Sequence, residues 1–445
     1  MTEKALKLLG EKQFSQLKQL LSEMNPVDIA GILEEMPQES LPLVYRLLPK
    51  ELAAEAFAEM DNDLQEILIQ AFSDKELQEV LDELYLDDAV DIIEEMPANV
   101  VKRILRQTKP EVRKKINEIL HYPEDSAGSI MTIEYVDLKK AMTVDEAFSR
   151  IRATGVDKET IYTCYVINQD RKLEGLVTVK DLLLSPKAAL IGDIMETHVI
   201  AASTMDDKEK VANQLQKYDF LALPVVDQEN RLVGIVTFDD AMDVLQDENT
   251  EDIEMMAAIT PTGKPYLKTG AVELWKKRVP WLLLLMVSAT FTGKIIQSYE
   301  SALAAQVVLT AFIPMLMDTG GNAGSQASVT VIRGLSLGEI QMADILKIIW
   351  KEIRVAVLCG LTLSLANFAK MMLLDRVGLS VSLVVCLTLV VTVTIAKITG
   401  CILPILAKRI GFDPAVMASP FITTIVDALS LIVYFNFASM LLHLA

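Results

Sequence analysis

The rhythm of apolar positions changes twice along the chain. From 26 to 120, apolar side chains recur at i, i+3, i+4 and i+7, the spacing of amphipathic helices, in short units punctuated by proline. Asp28 to Pro37 (DIAGILEEMP) resembles Asp88 to Pro97 (DAVDIIEEMP), and LPKELAAEAFAEMD between them is a weaker copy. Repeated units of this kind stack into a superhelix. From 129 to 245 the order strand, helix, strand, turn, strand, helix occurs twice, and YVIN…LEGLVTV and LPVVDQENRLVGIVTF read as hairpins with charged turns. Beyond 276 the polar half of the pattern disappears. Five mostly apolar stretches, at roughly 279–299, 302–328, 353–374, 379–406 and 414–442, are long enough to cross a bilayer core of about 30 Å. The predicted architecture is multidomain: an all-α superhelical N domain (1–125), an α+β pair (126–245), a connecting plug-type helix (246–275) and an α-helical membrane domain with five spans (276–445).

Charge follows the same division. The chain carries −19 although 51% of it is hydrophobic. Residues 1–270 hold −23 and residues 271–445 hold +4. An acidic soluble part lacks the basic face that a nucleic-acid binder needs. Cys164, Cys359, Cys386 and Cys401 show no paired spacing, and His121, His198 and His443 are too few and scattered for a histidine metal centre. The N-terminus, MTEKALKLLGEKQF, has no apolar signal core, so the front portion is expected in the cytosol. Lys276, Lys277 and Arg278 precede the first span, Arg333, Lys347, Lys351 and Arg354 lie between the second and third, and Lys408 and Arg409 between the fourth and fifth. The opposite side has Lys294, Lys370 and Arg376. This bias predicts a multi-pass protein of the cell membrane with a cytoplasmic N-terminus and, after five spans, an external C-terminus. An odd count without internal repeat points to a symmetric dimer with the pathway on its axis.

Ionisable groups inside a bilayer are costly and mark function. Asp318 and Asp427 lie within or beside the apolar stretches. At helical spacing Thr423, Asp427, Ser430 and Tyr434 share one face of the last span, a polar stripe for a pathway or a partner helix. Lys397 in the fourth span is a rival partner for Asp427. In the second stretch, Gly320, Gly321 and Gly324 permit close backbone approach, and Asn322, Ser325 and Gln326 supply neutral oxygens. Oxygen donors without His or Cys suit a hard divalent cation. Mg²⁺ keeps several waters and needs few direct carboxylates. Two Asp427 carboxylates facing across a dimer axis would attract cations and repel anions. No nucleophile elbow, HExxH or phosphate loop suggests an enzyme.

The double repeat at 126–245 resembles tandem CBS domains: Gly175…Thr178…Asp181 and Gly234…Thr237…Asp240 match their signature of Gly, two apolar residues, Thr, two more, then Asp. In that family the Thr and Asp can hold the phosphate and ribose of an adenine nucleotide, so Thr178, Asp181, Thr237 and Asp240 are candidates for ATP or a related nucleotide. The whole chain resembles the MgtE family of magnesium channels. Pro314 to Gln326 (P-x-L-x-x-T-G-G-N-A-G-S-Q) and Asp413 to Asp427 (D-P-A…P-F-I-T-T-x-x-D) carry the resemblance. It implies a homodimer with a pore built by the second and fifth spans, Asp427 as pore carboxylate and Asn322 as neutral partner, with Thr423, Gly321 and Ser430 beside them. Ser430 departs from the Gly that the family often has there. It also implies that Mg²⁺ bound in acidic cytosolic interfaces closes the pore. Asp87, Asp88, Asp91 and Glu94 crowd one helix, which alone reads as a solvated face. With Glu59, and with Asp247, Glu248, Glu251 and Asp252 of the connector facing them, they are the candidate regulatory ligands. The alternatives are a membrane-tethered nucleotide or cation sensor that transports nothing, and a transporter with broader divalent range (Co²⁺, Ni²⁺, Mn²⁺).

Overall fold

The chain opens with ten helices: α1 (Thr2–Gly10), α2 (Phe14–Ser22), α3 (Pro26–Glu34), α4 (Leu41–Tyr45), α5 (Lys50–Ala58), α6 (Asn62–Ala71), α7 (Asp74–Leu81), α8 (Leu86–Glu95), α9 (Ala98–Gln107) and α10 (Pro110–Ile119), with proline at the start of α3, α4, α5, α9 and α10. Pro26 and Pro110 occupy first helical positions, where the missing N–H costs nothing. Ser73 and Glu76 close α7 with a reciprocal capping box. No helix of ten residues is stable alone. Their apolar faces converge instead on one core containing Leu17, Ile29, Leu33, Phe57, Leu68 and Ile104. The computed structural model describes residues 1–264, 266–417 and 419–443. It contains two compact units, Met1–Leu245 and Gln246–Ala445.

The rest of the first unit is the α+β pair. Its first half comprises β1 (Val136–Leu138), α11 (Val144–Thr154), β2 (Thr163–Ile167), β3 (Leu173–Thr178), α12 (Val179–Leu184) and α13 (Ile191–Ile194). Its second comprises β4 (Ala202–Ser203), α14 (Lys208–Tyr218), β5 (Ala222–Val226), β6 (Leu232–Thr237) and α15 (Phe238–Met256), the last running into the second unit. Each half is a three-stranded sheet, β1-β2-β3 and β4-β5-β6, with a parallel then an antiparallel pairing and a register shift at the matching place, Val166/Ile167 and Val225/Val226. The signature glycines have a structural task. A Cβ on Gly175 would lie 2.7 Å from the Glu196 carbonyl, and one on Gly234 2.8 Å from the Thr132 carbonyl. Glu196 exchanges backbone hydrogen bonds with Leu176, and Thr132 with Ile235. The segment before each half thus adds to the other half's sheet, which fastens the two together. Tyr135, Tyr165, Leu232 and Ile235 fill the space between.

The second unit contains α16 (Ala271–Ser298), α17 (Glu300–Ala305), α18 (Ile313–Ser336), α19 (Ile345–Lys370), α20 (Leu379–Arg409) and α21 (Ser419–Leu442). Four segments among the described residues are long and apolar enough to span a membrane: those of α16, α19, α20 and α21. The expected second stretch, 302–328, is displaced and divided. It breaks into α17, a 3₁₀ turn at 307–312 and α18, whose polar, glycine-rich run keeps it outside that set. α18 packs against α20 and α21 instead of presenting an apolar surface. Small residues explain the contact: a Cβ on Gly324 would meet Ile422 and the Ala396 carbonyl, and one on Gly400 would lie 2.2 Å from the Gly324 carbonyl. Without a hydrophobic drive between helices in lipid, such close approach supplies much of the attraction.

Candidate functional site

The two candidate pore elements meet face to face. Gly321 of α18 lies under Thr423 of α21, whose Cγ2 is 2.8 Å from where a Cβ would stand. The Thr423 hydroxyl donates to the Pro420 carbonyl at 2.9 Å. Asn322 and Asp318 are exposed on α18, and Asp427 is half-buried on α21. Among the described residues Asp427 makes no hydrogen bond or ion pair, and Asp318 is the charge that acts on it. Lys397, the rival partner, is taken: its ammonium lies 3.5 Å from Glu352 of α19, with the side chains 6% and 16% exposed. That pairing settles the alternative and leaves the Asp427 carboxylate without a counter-ion.

The polar stripe of α21 divides, however. Ser430 is 2% exposed and packs where Gly320 comes close, its hydroxyl 3.1 Å from the position a Cβ would take there. Tyr434 is fully buried and donates to the Leu309 carbonyl at 2.9 Å. Within the protomer Ser430 therefore packs at the junction of α18, α20 and α21. The helical spacing was right, but a 24-residue helix packed on two neighbours buries part of any stripe.

Acidic side chains gather in the first unit. Asp87, Asp88 and Asp91 on α8 come close to Asp240 and Asp239 at the start of α15, and Glu134 and Glu159 join them. Burial, then repulsion from Asp88, Asp240 and Glu159, pushes Asp87 up to about 9. Burial followed by neighbouring acids takes Asp88 to about 6, and Asp91 and Glu159 to about 7. Burial with a contribution from Asp243 raises Glu59. Glu94 is raised too, by burial and then Glu124. One oxygen each of Asp87, Glu134 and Glu159 is buried without a hydrogen-bond partner. Among the described residues no three acidic, His or Cys side chains form a ready cage for a bare ion. The hub is Asp240, expected as a nucleotide ligand; Thr237 donates to it, and it faces the other acids. The connector acids Asp247, Glu248, Glu251 and Asp252 belong to the second unit, where Asp252 accepts from Ser336 at 3.1 Å and Arg333 donates to Asn249 at 2.8 Å. Glu134 and Glu159 escaped notice because each is a single acid outside any periodic run.

This cluster has a measurable consequence. Carboxylates whose pKa is raised on folding hold more protons folded than unfolded, so their stabilising effect is lost as pH rises through the folded value. In chelator-containing buffer the melting temperature of the protein is expected to fall as pH goes from about 6 to about 9. Added Mg²⁺ should flatten that slope. A melting temperature constant over this window without divalent ions would refute the mutual repulsion.

A cavity lies between the two repeats. It has a volume of about 840 Å³ and is lined by Tyr162, Thr178, Lys180, Glu196, His198 and Phe220 among others. Thr178 and Asp181 form a reciprocal capping box at the start of α12, with each backbone N–H 3.1 Å from the other's side-chain oxygen. Thr178 lies on the wall and Asp181 holds it from behind. In the second signature pair Thr237 likewise donates to Asp240, which faces the acidic cluster.

Comparison with known proteins agrees with this layout. The family described as divalent cation transporter matches residues 313–437, the MgtE intracellular N domain matches 24–125, and the CBS domain matches 127–186 and 191–247. A magnesium transporter MgtE of Thermus thermophilus is 36% identical over 98% of this chain and 97% of its own length. One of Bacillus subtilis is 32% identical over 98% of this chain and 96% of its own. A solved cytosolic domain of the Mg²⁺ channel MgtE in complex with ATP is 35% identical and superposes with a TM-score of 0.52, covering 55% of this chain and all of its own. With relatives of this identity matching end to end, the chain belongs to the MgtE family of divalent cation transporters.

Proposed function

We infer that this chain is a multi-pass membrane protein that moves Mg²⁺ down its gradient, a transporter rather than an enzyme. The observation that carries the reading is Asp427, a half-buried carboxylate on a membrane helix with no counter-ion among the described residues, opposite the glycine-rich face of α18. A carboxylate in that position costs free energy unless a mobile cation visits it. One protomer offers half a pathway, with Asp318 and Asn322 exposed. A second copy related by a two-fold axis would close the other wall and bring two Asp427 side chains together. A hydrated Mg²⁺, held largely through its waters, suits one carboxylate per chain and neutral neighbours. The basic loops would place the soluble unit and the N-terminus in the cytoplasm and the C-terminus outside.

Regulation follows from the acidic cluster. At low Mg²⁺, repulsion among Asp87, Asp88, Asp91, Glu159 and Asp240 would open the packing of α8 against the CBS pair. Mg²⁺ would replace the missing positive charge and select the packed state that closes the pathway. ATP, named for the solved relative, would enter the cavity between the two repeats, its phosphates meeting Thr178, Lys180 and His198.

Flux into proteoliposomes, followed against the Mg²⁺ concentration on the side of the soluble unit, tests both parts. Flux should fall steeply as that concentration rises. The triple variant Asp87→Asn, Asp88→Asn, Asp91→Asn should pack without Mg²⁺ and respond at most weakly. No flux at any concentration would turn the reading towards a sensor without transport, and a wild-type Mg²⁺ response in the triple variant would remove the cluster from regulation.

A further inference from the structure

The first turns of α16 carry a feature that neither the pathway nor the acidic cluster uses. Lys276 and Arg278 are exposed, and among the described residues neither makes a hydrogen bond or an ion pair. Around them stand exposed apolar and aromatic side chains: Leu267, 94% exposed, with Tyr266, Val272 and Trp275. An apolar and aromatic collar beside unpaired cations, at the entry to a span, matches the boundary of a bilayer whose headgroups are anionic. The same turn grips the connector. Lys277 donates from its ammonium to the Pro261 carbonyl at 2.5 Å and accepts from the Thr260 N–H at 3.2 Å. The Trp281 indole donates to the Thr260 hydroxyl at 3.2 Å. Glu254 near the end of α15 accepts from the Thr262 N–H at 3.1 Å. At its other side α15 reaches α18 through Asp252–Ser336 and Asn249–Arg333. A load on the Lys276–Arg278 turn is therefore transmitted through residues 260–262 to the helix that docks on a pathway element.

We propose that Lys276 and Arg278 form a binding site for an anionic phospholipid headgroup of the surrounding bilayer, and that its occupancy favours the docked position of α15. The occupant is a lipid because the cations are continuous with an apolar, aromatic surface that a free phosphate would leave in water. This rests on the transport reading, since its effect is read as a change in closure. Bound lipid holds the first turn of α16, and with it Thr260 and Pro261, so less Mg²⁺ is needed to close the pathway.

The experiment uses the full chain in liposomes of phosphatidylcholine alone and of phosphatidylcholine with phosphatidylglycerol. In wild type, phosphatidylglycerol should lower the half-closing Mg²⁺ concentration by roughly threefold or more, within the roughly thirtyfold ceiling that two cations at an anionic surface set. The variant Lys276→Gln, Arg278→Gln should transport normally at low Mg²⁺ and lose that shift. An anionic surface also concentrates Mg²⁺ near itself, whatever the protein. If the variant shifts as far as wild type, that accumulation is the whole effect and the site is refuted. Native mass spectrometry gives the second readout: wild type should retain phosphatidylglycerol and the variant should not, with equal melting temperatures. Equal retention refutes the site as well. Flux in phosphatidylcholine alone reports on transport separately, so failure of the transport reading is distinguishable from failure of the lipid site.

Discussion

Asp427→Ala is expected to cut Mg²⁺ flux by at least about tenfold, equal to about 1.4 kcal/mol of lost ion attraction, while leaving the protein folded. The separation of the two effects comes from what surrounds the side chain. Asp427 holds no hydrogen bond and no ion pair among the described residues, so its removal orphans no partner and leaves no uncompensated charge. Melting in detergent should stay at or slightly above that of wild type. Asp427→Asn keeps the shape and removes the charge, and it should fall with the alanine variant if charge is what the ion meets. Ser430→Gly, one turn further on, is a useful contrast. Ser430 is buried against Gly320 and should alter flux far less than either change at Asp427. Flux measured in a magnesium-uptake-deficient cell and in liposomes decides the matter. Wild-type flux in Asp427→Ala at normal expression would end the assignment of this carboxylate to the pathway.

The largest effect on assembly is expected at Gly400. A Cβ there would stand 2.2 Å from the Gly324 carbonyl oxygen and 3.0 Å from its carbon. Those atoms are backbone, so no rotamer change relieves the clash, and α20 must move off α18. Overpacking of an interior typically costs about 1–3 kcal/mol and occasionally more. Gly400→Ala should exceed the upper part of that range, lose several degrees of melting temperature and transport poorly. Gly293→Ala serves as the control, because a Cβ there meets nothing within 4 Å. In a helix the change should be neutral or slightly stabilising. Equal melting of the two variants would show that the α18–α20 crossing is looser than the geometry says.

Much of this was legible in the residues. Periodicity and proline placement located the repeat helices, because short amphipathic units carry their signal locally. The Gly, Thr and Asp signature identified the CBS pair, and the motif around Asn322 and Asp427 identified the family. What stayed hidden depends on contacts distant in sequence. Glu134 and Glu159 reach the acidic cluster only through the packing of the CBS pair on α8. The resemblance to CBS domains makes Asp240 a nucleotide candidate, and only the fold shows that it also faces Asp87, Asp88 and Asp91. The burial of Ser430 depends on which side of α21 faces α18, which a helical wheel does not state. The division of the 302–328 stretch falls at 306–312, a mostly apolar segment whose composition gives no sign of a break, and the polar run stays inside α18.

The Lys397–Glu352 pair bears on how the membrane part is made. A lone Lys or Glu near the middle of an inserting helix costs about 2.5–3.5 kcal/mol. Lys397 of α20 is such a residue, and Glu352, near the start of α19 beside Lys351 and Arg354, is its remedy. The two helices are joined by a short link, residues 371–378. They should therefore leave the insertion machinery for lipid together, as a neutralised hairpin, with the order of synthesis matched to the order of charge compensation. Glu352→Gln would leave that hairpin with a bare ammonium at Lys397, held back at the exit for want of the carboxylate made before it.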